Sequence, residues 1–295
     1  MEKIEDLSKG VKKNVSLKNY TTFKIGGNAR YFFTAETKKN LVAAISAVKK
    51  INLPFFILGA GSNLLVSDKG FPGIIIKIEN CKLKIKNSRI IAEAGVKLPE
   101  LLRVSVKNGL AGLEWAAGIP GTVGGAIFGN AGAFGRSMGD IIDEVEVLDV
   151  RTKKIIFLNN KNCGFGYRKS IFKKNKNLII LSAKMKFQED DKKIIKNRLQ
   201  KFLKYRKESQ PLGFPSAGSV FTNPGKFFAG KLIEKCGLKG KKIGGAGISK
   251  KHANFIVNLD AAKAEDVKKL INFAKKSVKN KFGVNLHEEI QYVGF

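Results

Sequence analysis

"GLAGLEWAAGIPGTVGGAIFGNAGAFG", residues 109–135, is the stretch on which the fold turns, with nine glycines in 27 residues. A glycine inside an element loses roughly 0.5–1 kcal/mol relative to alanine through backbone entropy. So dense a run needs a reason. One reading is a helix packed tightly through small residues. The other is a backbone wall against a cofactor, with Gly118 to Gly125 facing a pyrophosphate.

A second glycine-bearing stretch, "ILGAGSNLLVSDKG" (57–70), is an apolar strand running into Gly59, Gly61, Ser62 and Asn63. It opens like a dinucleotide fingerprint, but Asn63 and Leu64 stand where G-x-G-x-x-G needs its third glycine. The following "LLV" is strand-like and not helical, so the Rossmann reading fails on context. The physics survives: glycines admit a phosphate close to the backbone, and successive N–H groups form an anion nest. Two glycine-rich loops, neither of Rossmann type, favour a dinucleotide bound between two subdomains.

The flanking patterns supply the rest of the scaffold. "YFFT" (31–34), "PFFIL" (54–58), "LLVS" (64–67) and "GIIIKI" (73–78) are strands. "TKKNLVAAISAVKKIN" (37–52) places Leu41, Ala44, Ile45 and Val48 on one helical face. These make a small α/β unit. "KLKIK" (82–86) and "RIIAEAG" (89–95) predict a hairpin, with a helix over 97–108. "EVEVLDV" (144–150), "KIIFL" (154–158) and "NLIILSAKMKF" (177–187) are strands rich in β-branched residues. Helices are expected over 190–209, 226–237 and 261–283, and strands at "NFIVNL" (254–259) and "EIQYV" (289–293). Neither an internal repeat nor a low-complexity linker is evident.

With 295 residues, the chain is long enough for two or three domains. Cys81, Cys163 and Cys236 are far apart, with no zinc, haem or disulfide spacing, which points to a reducing, cytoplasmic compartment. The start, "MEKIEDLSKG" (1–10), is charged and mixed in sign, unlike a secretory signal. No apolar run approaches the ~18 residues of a membrane helix. The net charge of +31 raises a nucleic-acid hypothesis. Lysine far outnumbers the eight arginines and is spread over nearly every segment, which weighs against base readout. The same field attracts small anions such as nucleotides.

One serine stands out. "PSAGSVFTNP" (215–224) leaves Ser219 among small neighbours. A nucleophilic serine needs a base, usually histidine, and the chain has only His252 and His287. The segment also departs from the G-x-S-x-G elbow at Ala217 and Phe221. On its own, Ser219 is a turn residue before a strand.

Taken together with "NYTTFKIGGNARYF" (19–32), "YRKSIF" (167–172) and "LHEEIQYVG" (286–294), these segments give a chain that resembles the UDP-N-acetylenolpyruvoylglucosamine reductases, enzymes of peptidoglycan precursor synthesis. The six motifs run in the family's order from about residue 17 to the end. The resemblance implies an α+β, vanillyl-alcohol-oxidase-like (PCMH-type) FAD-binding fold of two subdomains plus a C-terminal α/β substrate-binding domain. The spans expected are 1–79, 80–203 with a return strand at 286–295, and 204–285. It implies non-covalent FAD, and NADPH as co-substrate. NADPH reduces the flavin, and hydride then passes to the enolpyruvyl double bond. "YRKSIF" runs into the next strand without insertion, like the shorter family form that lacks a tyrosine-bearing segment.

Residue by residue, the resemblance assigns Ser219 as proton donor, Glu289 as its acidic partner and Arg168 as the cation near the substrate carboxylate. It assigns flavin contacts to Thr22, Ile25, Gly26 and Gly27; to Gly59, Ala60, Gly61, Ser62, Asn63 and Leu64; and to Gly118, Ile119, Pro120, Gly121, Gly124, Gly125, Asn130 and Gly132. Asn223, Lys226 and His252 are substrate contacts, and no metal is implied. The bland readings are a surface ion pair for Arg168, a solvated strand end for Glu289 and a surface loop for His252. The expected partners are the UDP-sugar enolpyruvate and NADPH, with no nucleic acid or membrane insertion, acting on a cytoplasmic monomer. A flavin oxidase of the same superfamily is the alternative enzyme. Such oxidases often tether flavin through His or Cys, and no histidine precedes residue 252. A basic nucleic-acid-binding protein is the non-enzyme alternative, and it leaves both glycine loops unexplained.

Overall fold

The computed structural model describes residues 10–295; the charged start, 1–9, lies outside them. The chain divides into two compact units. The first comprises Phe32–Ala60 and Ile74–Lys204 with residues 10–12. The second comprises Lys13–Tyr31, Gly61–Gly73 and Tyr205–Phe295.

In the first unit, α1 (Lys38–Lys50) is capped by Thr37, whose side chain accepts from the Asn40 N–H, and buries Leu41, Ala44, Ile45 and Val48. That is the face its 3.6-residue periodicity marks. The strand Phe55–Leu58 runs parallel to Ile74–Lys77 within the longer strand Phe71–Ile78. A five-stranded sheet follows, in the order Lys154–Asn159, Ile142–Asp149, Leu178–Lys186, Arg89–Glu93, Leu83–Lys86. Every pairing in it is antiparallel, and the 82–95 hairpin forms as its alternation predicts. Two further helices, α2 (Leu98–Lys107), with Pro99 in its first turn, and α3 (Val123–Gly129), complete the glycine-rich region. The short α4 (Ile171–Lys174) leads without insertion into Leu178–Lys186. The long α5 (Lys192–Ser209) starts at Lys192 because the Asp191 carboxylate accepts from the N–H groups of Lys193 and Ile194.

The second unit holds a four-stranded antiparallel sheet in the order Ser216–Ser219, Phe255–Asn258, Ala246–Ile248, Lys242–Ile243. Its helices, α6 (Ala229–Lys235) and α7 (Ala264–Phe282), share one core with it. Val220, Phe221, Ile233, Ile256, Leu270 and Ile271 pack there with Phe23, Ile25 and Leu65. Each such fully buried side chain contributes about 1.5–3 kcal/mol. The helix expected from 226 begins three residues later, because Asn223 Oδ1 accepts from the Ala229 N–H and Gly225, at φ +58°, turns the chain before it. The final strand, Gln291–Val293, lies parallel to Leu64–Val66 in this unit.

Candidate functional site

Ser219 ends the strand Ser216–Ser219, and the local backbone explains its placement. Ser216 pairs with Val257 and Ser219 with Phe255, so Ala217 and Gly218 oppose the single residue Ile256. This is a β-bulge, and it re-aims the residue that follows. Gly218 adopts φ +76° with nothing within 4 Å of where a Cβ would stand. The left-handed backbone, not crowding, calls for glycine there. The Ser219 hydroxyl has no protein hydrogen-bond partner among the described residues, so its donor is available to a ligand.

Glu289 comes to Ser219 through the main chain. Its N–H donates to the Val220 carbonyl at 2.7 Å. Phe221 bridges antiparallel to Glu288, and the Thr222 N–H donates to the His287 carbonyl. The segment 287–289 therefore runs alongside 220–222. Glu288 is occupied elsewhere, its carboxylate held by Lys275 Nζ at 3.0 and 3.2 Å.

Two expected flavin contacts join the same cluster. Asn63 Nδ2 donates to the Glu289 carbonyl, and the Gln291 N–H donates to the Asn63 carbonyl. Thr22 Oγ1 donates to the Ser216 carbonyl at 2.7 Å, and the Thr22 N–H to the Gly61 carbonyl. Gly61 is conformationally forced, with φ +65° and the Tyr20 carbonyl 2.0 Å from a built Cβ. Beyond it, the Ser62 and Asn63 amides meet no protein acceptor among the described residues, leaving two donors in a turn. Ile25 turns its side chain into the core. At Gly26 a Cβ would stand 2.8 Å from Val66, and at Gly27 2.2 Å from the Asp68 carbonyl. Ile25 is thus buried, and only Gly26 and Gly27 keep part of their backbone accessible.

The glycine-rich segment of the first unit splits between the two readings. At Gly124 a Cβ would lie 2.9 Å from Ala94 Cβ, and the Gly124 N–H donates to the Ala94 carbonyl, so this glycine serves packing. Gly125 is exposed, with only Thr122 Oγ1 near, at 3.4 Å. Thr122 caps α3 and accepts from the Gly125 N–H. A Cβ on Gly59 would meet the same Thr122 Oγ1 at 2.6 Å, so the end of strand Phe55–Leu58 abuts this loop. Ala60 follows Gly59 there; Gly118 stands exposed at φ +77°, and Ile119, Pro120 and Gly121 lead into the cap. The first-turn amides of α3 are bonded to Val96, Ala94 and Thr122, so it is the exposed glycine backbone at Gly118 and Gly125, which admits a phosphate closely, that fits FAD. Thr122 was missed in the sequence, although a threonine before an apolar helical run is a cap signal.

Asn130 and Gly132 have structural partners. Asn130, at the α3 C-cap with φ +42°, donates through Nδ2 to the Gly166 carbonyl and accepts from the Gly139 N–H. A Cβ on Gly132 would strike the Arg136 carbonyl at 2.4 Å. The Asn130 bond fixes the turn that carries Arg168. Gly166 and Lys169 exchange backbone hydrogen bonds, leaving Tyr167 and Arg168 at the tip, and Ser170 Oγ donates to the Phe128 carbonyl. Arg168 sits at φ +54°, with its guanidinium carbon 5.5 Å from the Tyr167 ring centre.

The expected substrate contacts gather at the start of α6. Asn223 caps it, Lys226 is exposed in the preceding turn, and His252 Cε1 would lie 3.1 Å from a Cβ on Gly230. His252 Nδ1 accepts from the Asn254 N–H, which leaves the proton on Nε2. Burial, helped by Lys239, holds this imidazole below its ordinary pKa. Burial also raises the thiols of Cys81, Cys163 (to about 11) and Cys236, so all three are poor nucleophiles.

Comparison with known proteins gives the family. Residues 29–157 match the family model "FAD binding domain", and 210–293 match "UDP-N-acetylenolpyruvoylglucosamine reductase, C-terminal domain". The chain is 44% identical over 282 residues to a UDP-N-acetylenolpyruvoylglucosamine reductase of Caldanaerobacter subterraneus, covering 95% of this chain and 93% of that protein. It is 46% identical over 287 residues to the one from Caldicellulosiruptor bescii, covering 96% and 90%. Among solved structures, it is similar to the UDP-N-acetylenolpyruvylglucosamine reductase of Thermus caldophilus, with TM-score 0.83 and 36% identity over 95% of this chain and 98% of that one. The α+β fold expected from the sequence, an FAD-binding part followed by a C-terminal domain, is the fold observed.

Proposed function

We propose, from the premise that this chain belongs to the UDP-N-acetylenolpyruvoylglucosamine reductase family, a specific division of labour among its residues. It is an FAD-dependent oxidoreductase of peptidoglycan precursor synthesis. The finer reading is NADPH-dependent reduction of the enolpyruvyl group of UDP-N-acetylglucosamine-enolpyruvate to UDP-N-acetylmuramate, by a cytoplasmic monomer. Residues 1–79 and 80–203, the latter with the return strand 286–295, serve the flavin, and 204–285 serve the substrate. FAD, when bound, carries hydride from the nicotinamide to the enolpyruvyl carbon. It is held without a covalent bond, by the backbone around Thr22–Gly27, Gly59–Leu64 and Gly118–Gly125.

The protein's own task is the charge and the proton. Hydride addition to an enol ether conjugated to a carboxylate builds negative charge on the enolate. A fixed guanidinium stabilises that charge, and Arg168 is assigned this role. The enolate carbon then takes a proton from the Ser219 hydroxyl. The resulting alkoxide returns to hydroxyl by taking up a proton from solvent through the carboxyl group of Glu289. No histidine base is needed. Asn223, Lys226 and His252 bind the nucleotide portion of the substrate.

The observation that carries this reading is the 2.7 Å bond from the Glu289 N–H to the carbonyl of Val220, the residue after Ser219. It joins an acid from the chain end to a serine whose hydroxyl has no protein partner among the described residues. Replacing Ser219 tests it. Ser219→Ala should bind FAD and accept hydride from NADPH at nearly the normal rate. Reoxidation of the flavin band by the enolpyruvyl substrate should slow by ~10²-fold or more, the loss expected for a positioned general acid. Ser219→Cys should keep more activity than Ala. Reoxidation of Ser219→Ala at the wild-type rate would make the serine a structural residue.

A further inference from the structure

We infer that Asn254, in "KKHANF" (250–255), is the positioning residue that aims Ser219. This rests on the reading of Ser219 as the proton donor. Asn254 is buried, at 5% exposure, and binds the chain just after Ser219 at three points. Its carbonyl accepts from the Val220 N–H at 2.8 Å. Its side-chain Oδ1 accepts from the Phe221 N–H at 3.0 Å, while Nδ2 donates to the Phe221 carbonyl at 2.8 Å.

The side-chain amide thus pairs with Phe221 as another strand's backbone would. Such a substitute is needed here. The regular ladder ends at the pair Ser219–Phe255, and the bulge at Ala217–Gly218 has already displaced Ser219 from plain alternation. On the opposite edge of the same short segment, the Val220 carbonyl accepts from the Glu289 N–H and the Thr222 N–H donates to the His287 carbonyl. Asn254 on one side and residues 287–289 on the other hold 220–222 between them. The distance from Ser219 to Glu289 is therefore set by a segment that Asn254 fixes. The Asn254 N–H also donates to His252 Nδ1, so the same residue ties the expected substrate histidine to the serine strand.

The chemistry permits no simple replacement. Aspartate fits the volume but cannot donate to the Phe221 carbonyl. Alanine leaves both Phe221 backbone groups without the amide. Serine keeps one small hydroxyl that satisfies one of them.

The test is a double-mutant cycle on the flavin-loaded enzyme, with hydrogen exchange as a readout independent of turnover. Asn254→Ala and Asn254→Ser should keep flavin occupancy and NADPH-driven reduction within about twofold of wild type. Substrate-driven reoxidation should slow at least about tenfold in Asn254→Ala and less in Asn254→Ser. In a Ser219→Ala background, Asn254→Ala should slow it no further. The Phe221 amide should exchange at least about tenfold faster in Asn254→Ala, while amides of α7 keep their wild-type rates. Equal slowing in both backgrounds, loss of flavin reduction in both Asn254 variants, or unchanged Phe221 exchange would each overturn the inference. Normal reoxidation by Ser219→Ala alone would instead overturn the role of Ser219 itself.

Discussion

Arg168 holds a backbone conformation that glycine adopts without strain, at the second central position of a two-residue turn. A left-handed non-glycine residue carries about 1–2 kcal/mol of strain. Replacing it with glycine relieves that strain but adds about 0.4–1 kcal/mol of unfolded-state entropy. The two nearly cancel. Arg168→Gly should therefore melt within a few degrees of wild type while losing turnover with the enolpyruvyl substrate. Arg168→Lys keeps the charge but loses the planar fork that fits a carboxylate, and should lose at least about tenfold in that half-reaction alone. Full turnover in either variant would remove Arg168 from the chemistry. His252 gives a second prediction at this scale. Its folded pKa lies below its ordinary value through burial, so its contribution to stability is complete above about pH 6.5. As pH falls through that value, the unfolded chain takes up the proton more readily, and stability declines until the folded pKa is passed. His252→Gln should flatten the melting curve between pH 7 and 5; an unchanged slope would contradict this. Ser219 reads on its own as a turn residue before a strand, and only the resemblance gives it a role. The ion pair of Glu288 is not legible in the sequence, because it depends on Lys275 of α7.

Within one element, Gly124 serves packing, while Gly125 is proposed to face the flavin. Gly124→Leu should destabilise the whole first unit, because Ala94 leaves no room. Gly125→Leu has open space and should keep the melting temperature of the flavin-free protein, yet lower flavin occupancy. If both variants bound flavin fully, the backbone wall would lie elsewhere. Asp68 tests an element of the second unit. Its carboxylate accepts from the N–H groups of Ala264 and Glu265 in the first turn of α7, where a negative charge also meets the helix dipole. Asp68→Ala should lose about 1 kcal/mol, a fall of roughly 2–4 °C in Tm; an unchanged Tm would show the cap to be inert. Helix existence was readable wherever apolar spacing was regular, as in α1 and α7. Starts were less so: α6 begins at Ala229 because a side chain six residues earlier caps it. The bulge at Ala217–Gly218 was hidden as well, because it is defined by pairing with a strand some forty residues away.

For the molecule as a whole, the +31 charge suits anionic substrates more than a nucleic-acid face, and both proposed substrates carry a diphosphate. Screening should weaken that attraction. The order of motifs points to the family because six segments, scattered over the chain, run in the family's sequence. What the order could not supply was the hydrogen-bond route from Asn254 and Glu289 to the Ser219 strand, which exists only once distant segments meet. The central claim is that the enzyme reduces an enolpyruvyl nucleotide sugar with electrons from NADPH. The direct test is anaerobic rapid mixing of the wild-type protein, first with one equivalent of NADPH and then with UDP-N-acetylglucosamine-enolpyruvate. The account predicts bleaching of the flavin band, its return on adding the sugar nucleotide, and one UDP-N-acetylmuramate formed per flavin. A band that stays bleached until oxygen is admitted, with no product formed, would contradict it.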